Sequence, residues 1–186
     1  MLSVFKARSQ VKRKAGELYG RVVAAARQPA VYRDMGVPDT PEGRFEMVAL
    51  MLFLGLDRLQ TAGEEGDKVQ QLTIEQFVTD MDDCMREMGV GDLTVPKKVR
   101  RVAAGFYERA GAYRAALTAA PASLLHEALR NYVYAGAGGD ADIDKLATYV
   151  RSVRAALTAL GDAAAVNGEL TFPDPEPRTG GNDGRA

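Results

Sequence analysis

The chain has 186 residues, of which 46% are hydrophobic and 26% charged, and its formal net charge is −1. This length and composition predict one soluble domain that can bury its own core, and the near-neutral charge argues against a dedicated nucleic-acid-binding protein. The single cysteine, Cys84, and the single histidine, His126, exclude an intrachain disulfide and a zinc site built from several such residues.

The first 33 residues are strongly basic, because eight cations stand against one acidic residue, Glu17. The basic pattern of residues 1–14, called the basic arm below, has three interpretations. Leu2, Val4, Phe5 and Val11 between the cations are typical of an amphipathic helix on an anionic membrane, where each cation adds about 1 kcal/mol. The pattern also resembles a mitochondrial transit peptide, and a solvated arm leading into a helix is the simplest interpretation. The expected membrane-facing cations are Lys6, Arg8, Lys12, Arg13 and Lys14.

A helix in the first half of the chain is expected to be central to the fold. Residues 15–28 predict an amphipathic helix that ends at Pro29, and residues 32–43 predict an ordered, turn-rich loop. Thr40 is a suitable cap for the next helix, with Pro41 at its first position. That helix, residues 42–60, is apolar nearly all round, which is typical of a buried helix. Its longest apolar run is far shorter than the roughly 20 residues that cross a membrane.

The rest of the chain completes an all-α prediction. A Gly- and Glu-rich loop over residues 61–67 precedes a helix over 68–88, and further helices are expected over 95–119 and 121–134. Asp142 is a suitable cap for a sixth helix that ends near Leu160. Residues 169–172 alone have a short extended pattern, and the Pro- and Gly-rich residues 173–186 predict a disordered tail. The sequence therefore predicts a single helical domain of about six helices, residues 15–172, between the arm and the tail.

The helices on either side of residues 89–94 carry charges that oppose their own dipoles. Asp82 and Asp83 lie at the C-terminal end of one helix, and Lys97, Lys98 and Arg101 lie at the start of the next. Each such exposed charge costs about 0.3–1 kcal/mol. We therefore expect the two groups to form ion pairs across the turn or to be kept for a partner, with Lys97 and Lys98 the freer pair.

Methionine and aromatic side chains near these charges form a candidate surface for a hydrophobic partner. Flexible methionines and amphipathic tyrosines make large contacts that adapt to different partner shapes. We predict a partly exposed apolar groove of more than a few hundred Å². The alternative is that these side chains belong to the core. The groove residues would be some of Met47, Met51, Met81, Met85, Phe106 and Tyr107.

The sequence does not predict an enzyme, because no nucleophile–base pair and no phosphate-binding glycine loop is visible. His126 is interpreted as a partly buried structural residue, and Cys84 as a small buried hydrophobic residue. Asp80, Asp82 and Asp83 do not share one helix face, so their spacing does not favour a metal site. We expect neither a cofactor nor a bound metal.

Two long stretches resemble a known protein family. They are YRDMGVPDTPEGRFEMVALMLFLGLDRL (residues 32–59) and DMDDCMREMGVGDLTVPKKVRRVAAGFYERAGAYRAAL (residues 80–117). The string MREMGVGDL, followed by basic residues and an aromatic pair, is long enough to be specific. Together these stretches resemble the ubiquinol–cytochrome c chaperone family, the assembly factors of the cytochrome bc1 complex. The resemblance extends over residues 18–120 and into the helices that follow.

The resemblance implies a helical, non-enzymatic protein that binds newly made cytochrome b apoprotein and promotes assembly of the cytochrome bc1 complex. A second assembly factor or the ribosome would be a further partner. The rival interpretation is a membrane-surface or ribosome-tethering module that uses the basic arm. The high Ala, Arg and Gly content suits a GC-rich bacterial genome. It favours a cytoplasmic location, peripheral to the inner membrane, over a mitochondrial one.

Overall fold

The computed structural model describes residues 2–87, 95–119 and 121–175, without the side chains of residues 2–7, 82–87, 95–99, 101 and 102. Within these ranges the chain forms eight helices and no β-strand, which confirms the all-α prediction. The helices are α1 (Leu2–Ala26), α2 (Pro29–Asp34), α3 (Pro41–Leu59), α4 (Gly63–Glu87), α5 (Val95–Thr118), α6 (Ser123–Tyr132), α7 (Asp140–Ala159) and α8 (Asp162–Val166).

Several helices differ in extent from the sequence-based expectation. The basic arm is the first part of α1, because this helix begins at Leu2 instead of near residue 15. Helix α4 begins at Gly63, within the predicted loop, and the short helices α2 and α8 were not predicted. Helix α7 begins at Asp140, so Asp142 lies inside its first turn and does not cap it.

Helix α3 is the centre of the domain. Its start follows the prediction, because the Thr40 hydroxyl oxygen accepts a hydrogen bond from the Gly43 N–H at 3.1 Å and Pro41 is the first helical residue. Gly43 is needed here, since a Cβ at this position would lie 2.0 Å from the Pro38 carbonyl oxygen. Helices α1, α4, α5, α7 and α8 all pack against α3, and most of its residues are buried. Among the described residues, no helix is both long and apolar enough to cross a membrane.

An irregular strap, residues 168–175, closes the domain along α1. It starts at Gly168, which packs against the Lys14 main chain, and it continues through the buried Leu170. Its last part is tied by two hydrogen bonds, one from Tyr149 Oη to the Pro173 carbonyl at 3.1 Å and one from Gln28 Nε2 to Asp174 Oδ1 at 3.0 Å. The predicted disordered tail therefore does not begin at residue 173, and residues 176–186 lie outside the described ranges.

Candidate partner-binding site

A row of aromatic rings runs from the core to the surface of α5. Phe77 of α4 lies at its inner end and contacts Tyr19, Phe45 and Phe106, with ring centroids 5.6–6.5 Å apart. Phe106 in turn meets Tyr107 edge-to-face at 5.7 Å. Phe77 and Phe106 are buried, whereas Tyr107 is 58% exposed. The row thus holds one large, exposed ring on a rigid base, and such edge-to-face contacts each contribute about 0.5–1.5 kcal/mol.

Beside this row, a largely buried ion pair joins α5 to α3. The Arg109 guanidinium donates from Nε to Glu46 Oε2 at 2.7 Å and from Nη2 to Glu46 Oε1 at 2.6 Å. A third donor, Nη1, reaches the Gly105 carbonyl at 3.0 Å. The cation also lies 5.9 Å from the Phe45 ring and 5.0 Å from the Tyr132 ring. The hydrogen bonds to Glu46 raise the pKa of Arg109, so the arginine remains charged although it is largely buried.

The sequence interpretation did not identify this pair. The feature of the sequence that indicates such a pair is Glu46, a carboxylate within a helix that is apolar nearly all round. A buried charge there requires a partner of opposite sign. Periodicity does not show which of the chain's many arginines supplies that partner. The pair fixes the position of α5, and therefore of Tyr107, relative to the central helix.

The partly buried ring of Tyr132 leads inward from Arg109 to a buried tyrosine, Tyr113. Tyr113 contacts Tyr132 at 5.8 Å and Phe53 of α3 at 5.7 Å. Its hydroxyl is fully buried and has no hydrogen-bond partner among the described residues. Burial raises the pKa of Tyr113 far above its ordinary value of 10, so this side chain stays neutral.

A polar cleft of about 380 Å³ lies at the other end of α3, between α3 and α7. Its best-connected residue is Arg58, which donates to the carbonyls of Leu157 and Leu160 at the end of α7 and to Asp162 at 2.8 Å. These donors satisfy the last carbonyls of α7, so Arg58 acts as a cap for that helix. The cleft is lined by Leu54, Asp57, Arg58, Thr61, Arg154, Leu157, Thr158 and Asp162.

Comparison with known families matches residues 33–172 to the ubiquinol–cytochrome C chaperone family, which is about three quarters of the chain. The chain belongs to the ubiquinol–cytochrome c chaperone family. It is also similar to a solved structure, the crystal structure of the Cbp3 homolog from Brucella abortus. The two share 35% sequence identity with a TM-score of 0.84, over 93% of this chain and 96% of that one. A search of curated proteins gives no significant match.

In this member of the ubiquinol–cytochrome c chaperone family, the predicted groove residues fall into two groups. At most 2% of the surface of Met47, Met51 or Phe106 is exposed. The two methionines lie on α3, which five other helices surround, and Phe77 covers Phe106. These three side chains therefore belong to the core and do not line an exposed groove. Met81 is partly buried against the core, and Tyr107 is exposed.

For several predicted residues of this chaperone-family chain, the structure does not describe the side chain. The predicted ion pairs across the turn fall within this part of the chain, and they stay a prediction. Asp80, which precedes the turn, accepts a hydrogen bond from the Tyr19 hydroxyl at 2.7 Å. The side chains outside the description are Asp82, Asp83, Cys84, Met85, Lys97, Lys98 and Arg101.

The other candidates of the chaperone-family chain have structural contacts. His126 Nε2 lies 3.2 Å from Asp144 Oδ1, a contact that joins α6 to α7. In the part of the chain that the structure describes, no three His, Cys, Asp or Glu side chains are grouped as metal ligands. Of the arm cations, Arg13 pairs with Glu17 at 2.8 Å and Lys14 with Glu65 at 3.4 Å.

Proposed function

We propose that this chain is an assembly chaperone for the cytochrome bc1 complex, and that it binds newly made cytochrome b without catalysing a reaction. The observation that carries the proposal is the family match over residues 33–172. The similarity to the Cbp3 homolog over nearly the whole of both chains supports it. The client is a membrane protein, so we place the chaperone at the cytoplasmic face of the inner membrane, with a second assembly factor or the ribosome as a further partner.

The contact surface that we propose centres on Tyr107. A tyrosine offers a large, rigid ring with a polar tip, which suits a site that must cover apolar surface while it remains in water. Tyr107 has a rigid base in Phe106 and the Glu46–Arg109 pair, and we propose that the partly buried Met81 on α4 adds an adaptable side chain to the same surface. We propose that charged and methionine side chains near the turn complete the surface, namely Asp82, Asp83, Met85, Lys97, Lys98 and Arg101.

The experiment replaces Tyr107 with aspartate and measures how much cytochrome b co-purifies with the tagged chain from cells that make it. A central aromatic contact contributes at least about 2 kcal/mol, so Tyr107→Asp should reduce recovery roughly 30-fold. The matched control is Leu124→Asp on α6, because Leu124 is also a large apolar side chain with an exposed surface, at 36%. It should leave recovery unchanged, and both variants should keep the helical circular dichroism of the parent.

Two results would contradict the proposal. Recovery of cytochrome b that is equal for Tyr107→Asp and the parent would remove Tyr107 from the contact surface. Failure of the unaltered chain to retain any cytochrome b would contradict the proposed client itself.

A further inference from the structure

The first described side chains of α1 face away from the rest of the domain. Arg8, Ser9 and Gln10 are consecutive helical residues, and all three are exposed. Successive residues of an α-helix are about 100° apart, so three in a row cover more than half of the circumference. Val11 is the first half-buried residue, and full burial begins at Ala15. Residues 8–10 of α1 therefore lie outside the core.

This part of the chain carries an excess of positive charge. Residues 1–16 contain five cations and no acidic residue. Arg13 and Lys14 are used within the domain, by Glu17 and Glu65. Arg8 and Lys12 are exposed, are spaced by four residues on one side of the helix, and have no ion-pair partner within the described residues.

We propose that the start of α1 binds the surface of an anionic membrane, with Arg8 and Lys12 against lipid phosphates. The charge complementarity is direct, because each cation near such a surface strengthens binding by roughly fivefold. The apolar residues beside the cations favour lipid over RNA as the partner. Leu2, Val4 and Phe5 accompany the cations, and apolar residues beside cations are what insertion at the headgroup boundary requires. Phosphate contacts to RNA need the cations alone.

The test measures flotation of the full chain with vesicles of phosphatidylcholine that contain or lack 30% phosphatidylglycerol. The variant Arg8→Gln/Lys12→Gln should lower the partition coefficient on anionic vesicles roughly 30-fold, from the loss of two surface cations. The matched control is Arg21→Gln/Arg27→Gln, which removes the same charge from exposed positions near the other end of α1. It should change the coefficient less than about twofold. Neither variant should alter the thermal unfolding of the domain, because all four side chains are exposed.

A fluorescence measurement distinguishes lipid from RNA as the partner. The chain has no tryptophan, so Phe5→Trp introduces a single reporter. Its emission should shift to shorter wavelength on anionic vesicles and remain unchanged with purified ribosomes. Equal vesicle binding by the two double variants would overturn the proposal, as would retention by ribosomes without retention by vesicles. Neither measurement involves cytochrome b, so the result is independent of the client proposed above.

Discussion

At the scale of single residues, two buried tyrosines differ in one hydrogen bond. The Tyr134 hydroxyl donates to the Met35 carbonyl at 2.6 Å, whereas the Tyr113 hydroxyl has no partner among the described residues. Both side chains are at most 2% exposed, so the difference does not come from burial. A buried hydroxyl that makes no hydrogen bond costs about 1–3 kcal/mol, while a satisfied one contributes about 1 kcal/mol.

Removing each hydroxyl should therefore change stability in opposite directions. We expect Tyr113→Phe to raise the free energy of unfolding by about 1 kcal/mol, and Tyr134→Phe to lower it by about 1 kcal/mol. Urea unfolding followed by circular dichroism measures both, and the dependence on urea concentration should be equal for the two variants. A loss of stability in Tyr113→Phe that matches the loss in Tyr134→Phe would mean that the Tyr113 hydroxyl holds a partner of its own.

Individual contacts were the part of the site that the sequence could predict least. Tyr107 and Phe106 are adjacent and both were candidates, yet one is exposed and the other is core. Helix periodicity shows that they point in different directions, but only the position of Phe77 determines which one faces inward. The pairing of Glu46 with Arg109, 63 residues apart, likewise depends on tertiary packing.

At the scale of elements, the long helices could be predicted and the short ones could not. Helices α3 and α5 repeat their apolar positions over several turns, so their limits were predicted to within one residue, whereas α7 begins three residues before its predicted start. Helices α2 and α8 have six and five residues, too few for a period to be visible. The early start of α4 was missed because Glu64 and Glu65 indicated a loop, although acidic residues in a first turn also stabilise a helix.

The turn between α6 and α7 contains a strained residue that can be relieved. Ala135 has a φ of 48° and its neighbour Gly136 a φ of 83°, and only glycine adopts this left-handed region without a penalty of about 1 kcal/mol. Ala135→Gly should therefore raise the free energy of unfolding by about 1 kcal/mol. Gly136→Ala should lower it by a similar amount, although no atom obstructs the added methyl group. Thermal unfolding of both variants checks this; a change of the same sign in the two would exclude backbone strain as the cause.

At the scale of the whole molecule, one core joins helices from every part of the chain. Besides Tyr19 on α1, it includes three tyrosines on different elements, Tyr113 on α5, Tyr134 after α6 and Tyr149 on α7. Burial is the main cause that raises the pKa of each hydroxyl above 10, and the pKa of Tyr149 reaches about 12. The folded chain therefore holds protons at high pH that the unfolded chain releases.

This difference predicts how stability depends on pH. Below pH 10 these tyrosines are protonated in both states and have no effect. Above pH 10 the hydroxyls of the unfolded chain lose their protons first, so the free energy of unfolding decreases. Each such tyrosine lowers it by about 1.4 kcal/mol per pH unit until the pKa of the folded state is reached. Urea unfolding of the parent and of Tyr149→Phe isolates the contribution of one tyrosine. The free energy of unfolding of the parent minus that of the variant should be constant below pH 10 and decrease between pH 10 and 12. A difference that does not change with pH would contradict the assignment.

The strap has a consequence for the order of events during synthesis. The hydrogen bond between Gln28 and Asp174 spans 146 residues, Leu170 is buried, and Phe172 lies beside Gly55 of α3. The helices can pair early, because the chain emerges from the ribosome amino end first. The strap can close along α1 only after residue 174 has left the exit tunnel. Completion of the domain is therefore tied to the arrival of the strap, and a chain that lacks residues 168–175 exposes the apolar side chains that the strap covers.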